Sequence, residues 1–215
     1  MRIDCIATGS TGNCYIATSS DGRCIILDCG IKFQDITHHR MFPKFRDIDL
    51  VFVSHEHGDH NKSLKDFRRC GCEIVSYETL PPFTRKHRVG HWELITFPVA
   101  HNVMCFGIAI RNKQTNESLC YMTDFCKAPM IEGIDTFLFE VNYIDALVDE
   151  MIDENKELKH LGFNNHCSLE YAVDYFTRMN TRPKEIYCCH GSQSHSIKQR
   201  IYEGMKQFAD KVVVL

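Results

Sequence analysis

Residues 54–60 read SHEHGDH, which sets His55, His57, Asp59 and His60 directly after the apolar run LVFVS. Imidazoles and a carboxylate at this density share one chemistry, the binding of a transition metal. Zinc, iron and manganese suit such a mixed set, whereas calcium and magnesium prefer oxygen ligands. His55 and His57 alternate along the chain and can project toward one point, and Gly58 offers a permissive backbone through which the loop can turn before Asp59 and His60. A single histidine after a strand is ordinarily structural or solvent-facing. Here the pattern recurs: His101 follows FPVA, Asp124 follows LCYMT and His190 follows EIYCC. Each is a ligand type at the end of an apolar segment, so seven candidate metal ligands arise.

These residues need elements that bring strand ends together. RIDCIA, CYIA and RCIILDCG, joined through GSTGN and DG, predict short strands in an antiparallel meander. LVFVS, HWELITF, GIAIRN, SLCYMTD and DTFLFEV continue the strand signal. Helical periodicity appears in SLKDFRR, over roughly Asp145 to Leu158, in SLEYAVDYFTRM and in SIKQRIYEGMKQFAD. In the third of these, Leu169, Ala172, Val173 and Phe176 fall on one face. Strands and helices interspersed in this way predict an α/β fold of sheets covered by helices.

The chain has 215 residues, enough for one sizeable domain over 1–215 and too few for two ordinary ones. Its 44% hydrophobic and 25% charged residues place it with soluble globular proteins rather than disordered ones. No apolar run reaches the length that spans a bilayer. The start, MRIDCIATG, carries Asp4 within its first apolar stretch and does not resemble a secretory signal, so a cytoplasmic protein with no membrane partner is expected. Twelve cysteines would suggest disulfides in a secreted chain, but Cys24, Cys120, Cys188 and Cys189 lie in apparent strands and read as reduced, buried thiols. Cys70 and Cys72 form a CxC with no second pair at zinc-ribbon distance. The net charge of -3 argues against indiscriminate binding of polyanions. Short basic clusters remain at Lys44 to Arg46, Lys65 to Arg69 and Arg85 to Arg88, and self-association is left open.

The run from His55 to His60 matches in full the HxHxDH signature of the metallo-β-lactamase superfamily, which the whole chain resembles. The resemblance implies an αββα sandwich, two mixed sheets flanked by helices. It implies one metal held by His55, His57 and His101, a second held by Asp59, His60 and His190, and Asp124 bridging both. FEVNY at 139–143 and NNHCSLEYA at 164–172 resemble the glutamate-bearing strand end and the histidine-bearing helix start of the transfer-RNA 3′-processing nucleases and their relatives. They match Glu140 and His166 to that pair, although Ser168 and Glu170 also suit a plain helix cap. Within that branch, ATGSTGNCYI and HNVMCFGIAI look most like the WalJ type, small proteins related to exonucleases acting on DNA.

The expectation is therefore a phosphodiesterase with two divalent ions, zinc or manganese, acting on nucleic acid or a nucleotide as a DNA exonuclease-like enzyme. Two ions about 3.5 to 4 Å apart can hold a hydroxide between them and neutralise charge in an in-line displacement. Asp59 would help anchor that nucleophile, and His166, oriented by Glu140, would assist the leaving oxygen. Three alternatives use parts of the same set: a cyclic-nucleotide phosphodiesterase, a thioester or lactam hydrolase, and a non-catalytic metal-holding module. A Cys-His nucleophile from Cys167 and His166 is disfavoured, because sequence neighbours there should point apart.

Overall fold

The computed structural model describes residues 1–145, 147, 165–192 and 196–215. The helix expected over roughly Asp145 to Leu158 lies outside the described residues, apart from Asp145 and Leu147. A first sheet has the order β1-β2-β3-β4-β5, formed by β1 (Arg2–Ala7), β2 (Cys14–Thr18), β3 (Cys24–Leu27), β4 (Ile48–Val53) and β5 (Ile74–Ser76). The antiparallel meander extends through β3 and stops there, since β3–β4 and β4–β5 pair in parallel. Parallel neighbours need crossovers that leave the sheet. The first passes through α1 (Phe33–Thr37), the second through α2 (Gly58–Asn61) and α3 (Leu64–Arg69).

The second sheet has the order β12-β11-β10-β9-β8-β7-β6. Its strands are β6 (Arg85–Val89), β7 (Trp92–Val99), β8 (Cys105–Asn112), β9 (Ser118–Met122), β10 (Thr136–Glu140), β11 (Glu185–Cys189) and β12 (Lys211–Val214). Pairing is antiparallel from β6 to β9 and parallel from β9 to β12. The described crossover helices of the parallel half are α4 (Leu169–Thr177) and α5 (Lys198–Met205). As a result β7, β9, β10 and β11 run in the same direction, and their C-terminal ends reach one edge.

Alternation along the strands sorts the side chains into layers. From β4, Leu50 and Phe52 face the second sheet, whose Trp92, Ile108, Leu119, Tyr121, Leu138 and Tyr187 join them in the central core. The alternate residues Val51 and Val53 pack on the other face with Ile36, Leu64 and Phe67 from α1 and α3. Phe137, Phe139, Cys188 and Ile186 likewise turn outward onto Ala172, Tyr175, Phe176 and Ile201 of α4 and α5. Strands covered on both faces read as near-continuous apolar runs, which is why β4, β9 and β10 are evident in the sequence. The layers are helix, sheet, sheet, helix, with two mixed sheets flanked by helices.

Three strands carry little sequence signal. β5 is three residues long, β12 reads KVVV, and β6 reads RKHRV with no alternation of apolar and polar side chains. β6 lies at a sheet edge, where charged residues are tolerated because one side faces solvent. The last helix is shorter than SIKQRIYEGMKQFAD suggests and ends at Met205. On α4 the buried residues are Leu169, Ala172, Tyr175 and Phe176, so Tyr175 rather than Val173 completes the packed face. No described helix is long and apolar enough to cross a membrane. All twelve cysteines are free, and Cys24, Cys120, Cys188 and Cys189 are buried.

Candidate metal centre

Four strands deliver the seven candidate ligands to one edge. The chain leaves β4 at Val53 and immediately supplies His55, while β7, β9 and β11 end one or two residues before His101, Asp124 and His190. Gly58 opens the four-residue helix α2, so the turn expected there is helical and carries Asp59 and His60. Asp28, Asp124 and His190 adopt left-handed backbone conformations, with φ of 57°, 50° and 55°. Such conformations are uncommon for non-glycine residues and require support from their surroundings. All three follow strand ends and turn their side chains into the same cluster.

Two groups result. His55, His57, His101 and Asp124 offer ligand atoms that all lie within 4.8 Å of one another, as do those of Asp59, His60 and His190. In the first group, His57 Nδ1 lies 3.0 Å from His55 Nε2 and 3.4 Å from His101 Nε2. In the second, His60 Nε2 and His190 Nε2 lie 3.4 and 3.8 Å from Asp59 Oδ2. Asp124 stands between them: Oδ2 is 3.8 Å from His55 Nε2 and 3.9 Å from His101 Nε2, while Oδ1 is 3.3 Å from His60 Nε2. Thr123 Oγ1 donates to Asp124 Oδ1 at 2.8 Å and helps fix that carboxylate.

The Nδ1 atoms of His55, His60, His101 and His190 are occupied from outside the ligand groups. His60 Nδ1 donates to Asp28 Oδ2 at 2.6 Å, His101 Nδ1 to the Asn165 carbonyl at 3.1 Å, and His190 Nδ1 to Glu140 Oε1 at 2.9 Å. Ser54 Oγ donates to Asp28 Oδ2 at 2.9 Å and can accept from His55 Nδ1, also at 2.9 Å. Outward N–H donation leaves the Nε2 lone pair of these rings facing inward, the arrangement that ligating histidines need. His190 Nε2 is buried and, among the described residues, has no hydrogen-bond partner. An orphaned imidazole nitrogen beside Asp59 and His60 fits a cation, and the nitrogen-rich donor set suits zinc or manganese better than calcium.

The electrostatics are consistent with a cation site. Burial pushes the His60 proton affinity down, but Asp124 and Asp28 more than offset this and hold it well above the ordinary histidine value. His190 behaves alike: burial lowers it, Asp124, Asp59 and Glu140 raise it, and the result is about 10. His55, lacking so close a carboxylate, is lowered by burial and by His60 and His101. The raised proton affinity of His60 and His190 reflects the crowded carboxylates around them, whose charge bound cations would balance in place of protons.

Beside the second group, Glu140 is fully buried and each of its oxygens has two donors. Oε1 accepts from His166 Nδ1 at 2.7 Å and from His190 Nδ1 at 2.9 Å. Oε2 accepts from Phe125 N at 2.9 Å and Cys167 N at 3.3 Å. Burial raises the Glu140 carboxyl, yet His166 and His190 bring it down to about 2. His166 is lowered by burial and raised more strongly by Glu140 and Asp124, so its net shift is upward. Its side chain is 23% exposed while Glu140 is 0% exposed, which makes His166 the member that solvent can reach. Asp124, Glu140, His166 and His190 also form a compact group, but its close atoms already hydrogen-bond to one another. Ser168 is the N-cap of α4, accepting from Tyr171 N, and Cys167 is fully buried with its thiol pushed well up by burial. A Cys167 nucleophile has no support.

Asp28 is the part of the site that the sequence reading omits. Its carboxylate accepts from Ser54 N, Ser54 Oγ, His60 Nδ1 and Tyr121 Oη, the last at 2.6 Å. The signal was available, because Asp28 follows CIIL as Asp124 follows LCYM, but no second polar residue drew attention to it. Asn13 was missed for another reason: its contacts join distant segments, with its N donating to the Asp59 carbonyl at 2.7 Å and its side-chain Nδ2 lying 3.1 Å from His60 Nε2. Gly30 is tighter still, since a Cβ there would lie 1.6 Å from the Asp59 carbonyl oxygen. Gly30→Ala should cost roughly 1 to 3 kcal/mol by overpacking. It should also displace Asp59 and His60, so thermal unfolding and metal content measured together should both fall. Loss of stability with full metal content would show that the contact does not position these ligands.

Comparison with known proteins agrees with this geometry. Residues 7–71 match the family model described as "Metallo-beta-lactamase superfamily". The exodeoxyribonuclease WalJ of Streptococcus pneumoniae is 22% identical over 229 residues, covering 93% of this chain and 84% of that protein. The metallo-beta-lactamase fold protein YhfI from Bacillus subtilis superposes with a TM-score of 0.72 at 14% identity, covering 99% of this chain and 95% of the other. Human tRNase Z, short form, gives a TM-score of 0.64 at 15% identity over 100% of this chain and 96% of the other. The chain thus has the fold of the metallo-β-lactamase neighbours, and its segment 7–71, which carries His55, His57, Asp59 and His60, matches that superfamily's model.

Proposed function

We propose that this protein is a dinuclear metal-dependent phosphodiesterase that cleaves nucleic acid, with DNA exonuclease-like activity. The observation that carries this reading is the His166–Glu140 pair at 2.7 Å, set beside two ligand groups that share Asp124. The similarity to the exodeoxyribonuclease WalJ along most of its length supports the nuclease assignment.

His55, His57 and His101 would hold one ion and Asp59, His60 and His190 the other, with Asp124 offering one oxygen to each. Bound divalent ions supply Lewis acidity toward phosphate oxygens and lower the proton affinity of water. The chain's own groups do the rest. Asp59, with 26% of its side chain exposed, can hydrogen-bond the attacking water and orient it. His166 Nδ1 is committed to Glu140, so Nε2 is the atom free to donate a proton to the departing oxygen. The Glu140 charge favours the protonated form of that imidazole and fixes its ring plane, which is the task of a residue that orients a general acid.

A substrate panel with zinc- or manganese-loaded protein tests the assignment. A chromogenic phosphodiester should turn over, whereas a β-lactam and a glutathione thioester should not. Thioester turnover without phosphodiester cleavage would place the chain in a different reaction class.

A further inference from the structure

The loop that follows β3 is fastened to the ligand-bearing helix α2. Cys29 N donates to the His60 carbonyl at 2.8 Å, Ser63 N to the Cys29 carbonyl at 3.0 Å, and Ser63 Oγ to the Ile31 carbonyl at 2.5 Å. The close approach of Gly30 to Asp59 locks the same two segments. Lys32, two residues past Gly30, and Lys62, two residues past His60, are therefore held on a common rim beside the second ligand group. They line one groove of about 400 Å³ with Phe33, Gln34, Ser63 and Asp66.

The groove is built for a passing chain of phosphates. Lys32 and Lys62 are exposed, and among the described residues neither ammonium has an ion-pair or hydrogen-bond partner. The one carboxylate in the lining, Asp66, faces Arg69 at 3.4 Å. Ser63 is buried but spends its hydroxyl on Ile31, so the groove has no closed pocket of inward donors that would retain a small anion. Farther along, Phe33 meets Phe45 at 6.3 Å between ring centroids. Phe45 is 42% exposed and stands between the exposed Lys44 and Arg46. Cations along a groove, followed by an exposed ring, form the general pattern that tracks a nucleic-acid backbone and stacks a base. A chain of net charge -3 must attract a polyanion through such a local feature rather than through its overall field.

We propose that the groove between α1 and α2 carries a polynucleotide strand away from the metal centre, with Lys62 and Lys32 contacting successive phosphates and Phe45 stacking on a base beyond them. This rests on the nuclease reading and names the side on which the substrate lies.

Binding and cleavage, measured separately, test it. A fluorescently labelled single-stranded oligonucleotide, as DNA and as RNA of the same sequence, is titrated with metal-loaded protein over a range of salt concentrations. The proteins compared are wild type, Lys32→Ala/Lys62→Ala, and the control Arg85→Ala/Lys86→Ala, whose exposed cations lie on β6 at the edge of the other sheet. Each lost phosphate contact on a single strand lowers the slope of log affinity against log salt by about 0.7, so the groove variant should lose about 1.4 in slope and the control none. In the groove variant, kcat/KM for the oligonucleotide should fall several-fold relative to that for the chromogenic diester. Phe45→Ala should weaken binding with the salt slope retained. Equal slopes for wild type and groove variant, or equal losses in groove and control variants, would overturn the proposal. Failure of wild type to cleave any phosphodiester would overturn the nuclease reading instead, and the salt slopes would still decide whether the groove binds nucleic acid. Preference for the DNA or the RNA arm identifies which polymer supplies the phosphates.

Discussion

Asp124→Asn should leave the protein folded but without measurable phosphodiester turnover, and it should weaken both metal ions together. Asp124 is the residue whose two oxygens face different ligand groups, Oδ2 toward His55 and His101 and Oδ1 toward His60. An amide keeps the shape and one oxygen but removes the charge that two cations would share. Loss of an outer partner of a metal ligand typically costs about 10- to 100-fold in affinity, and loss of a direct, shared ligand should exceed that for each ion. Elemental analysis after dialysis against weak chelator should show both ions depleted. His57→Ala and His190→Ala should each deplete chiefly one. If Asp124→Asn removed a single ion and kept the other at wild-type affinity, the shared role would be wrong.

His166→Ala should behave in the opposite way, keeping the metals and losing rate. His166 is bonded to Glu140 rather than to the inward-facing Nε2 atoms of the ligand groups, and it is open to solvent. Removal of a positioned acid should lower turnover by roughly 10² to 10⁴. A diester with a good leaving group needs little protonation, so the loss should be smaller there than with a poor one. Glu140→Gln is the revealing companion. From sequence alone it would show only a smaller loss of the same kind, because it removes the charge behind His166. The structure adds a second effect, since Glu140 Oε1 also accepts from His190 Nδ1. Glu140→Gln should therefore reduce the rate and also weaken the ion held by the second group by about 10- to 100-fold, the usual worth of an outer hydrogen bond to a ligand. Loss of metal from His166→Ala would mean that His166 is a ligand, and unchanged rate with unchanged metal would reduce it to part of a helix start.

These contrasts show why some of the site was readable in the sequence. His55, Asp124 and His190 stand out because strands buried on both faces are written in nearly uninterrupted apolar letters, and a ligand type just past such a run is conspicuous. The same physics made β4, β9 and β10 evident. Features that depend on pairing in space were hidden. β6 is charged because it lies at an edge, so its sequence resembles a loop. Asp28 is an unaccompanied acid whose role exists only once Ser54, His60 and Tyr121 converge on it. Gly58 was read as the permissive position at which the loop turns, whereas the position whose glycine is required is Gly30, and only the approach of the Asp59 carbonyl reveals that. The dual attachment of Glu140 to His166 and His190 likewise joins positions 26 and 50 residues apart, which no local pattern records.

The most direct test of the central claim is a metal titration of chelator-stripped protein, with hydrolysis of a chromogenic phosphodiester followed at each addition of zinc or manganese. A dinuclear phosphodiesterase predicts a rate that rises to a plateau at about two ions bound per chain, with little activity at the first equivalent. No turnover at any loading, or a full plateau at about one ion, would contradict it.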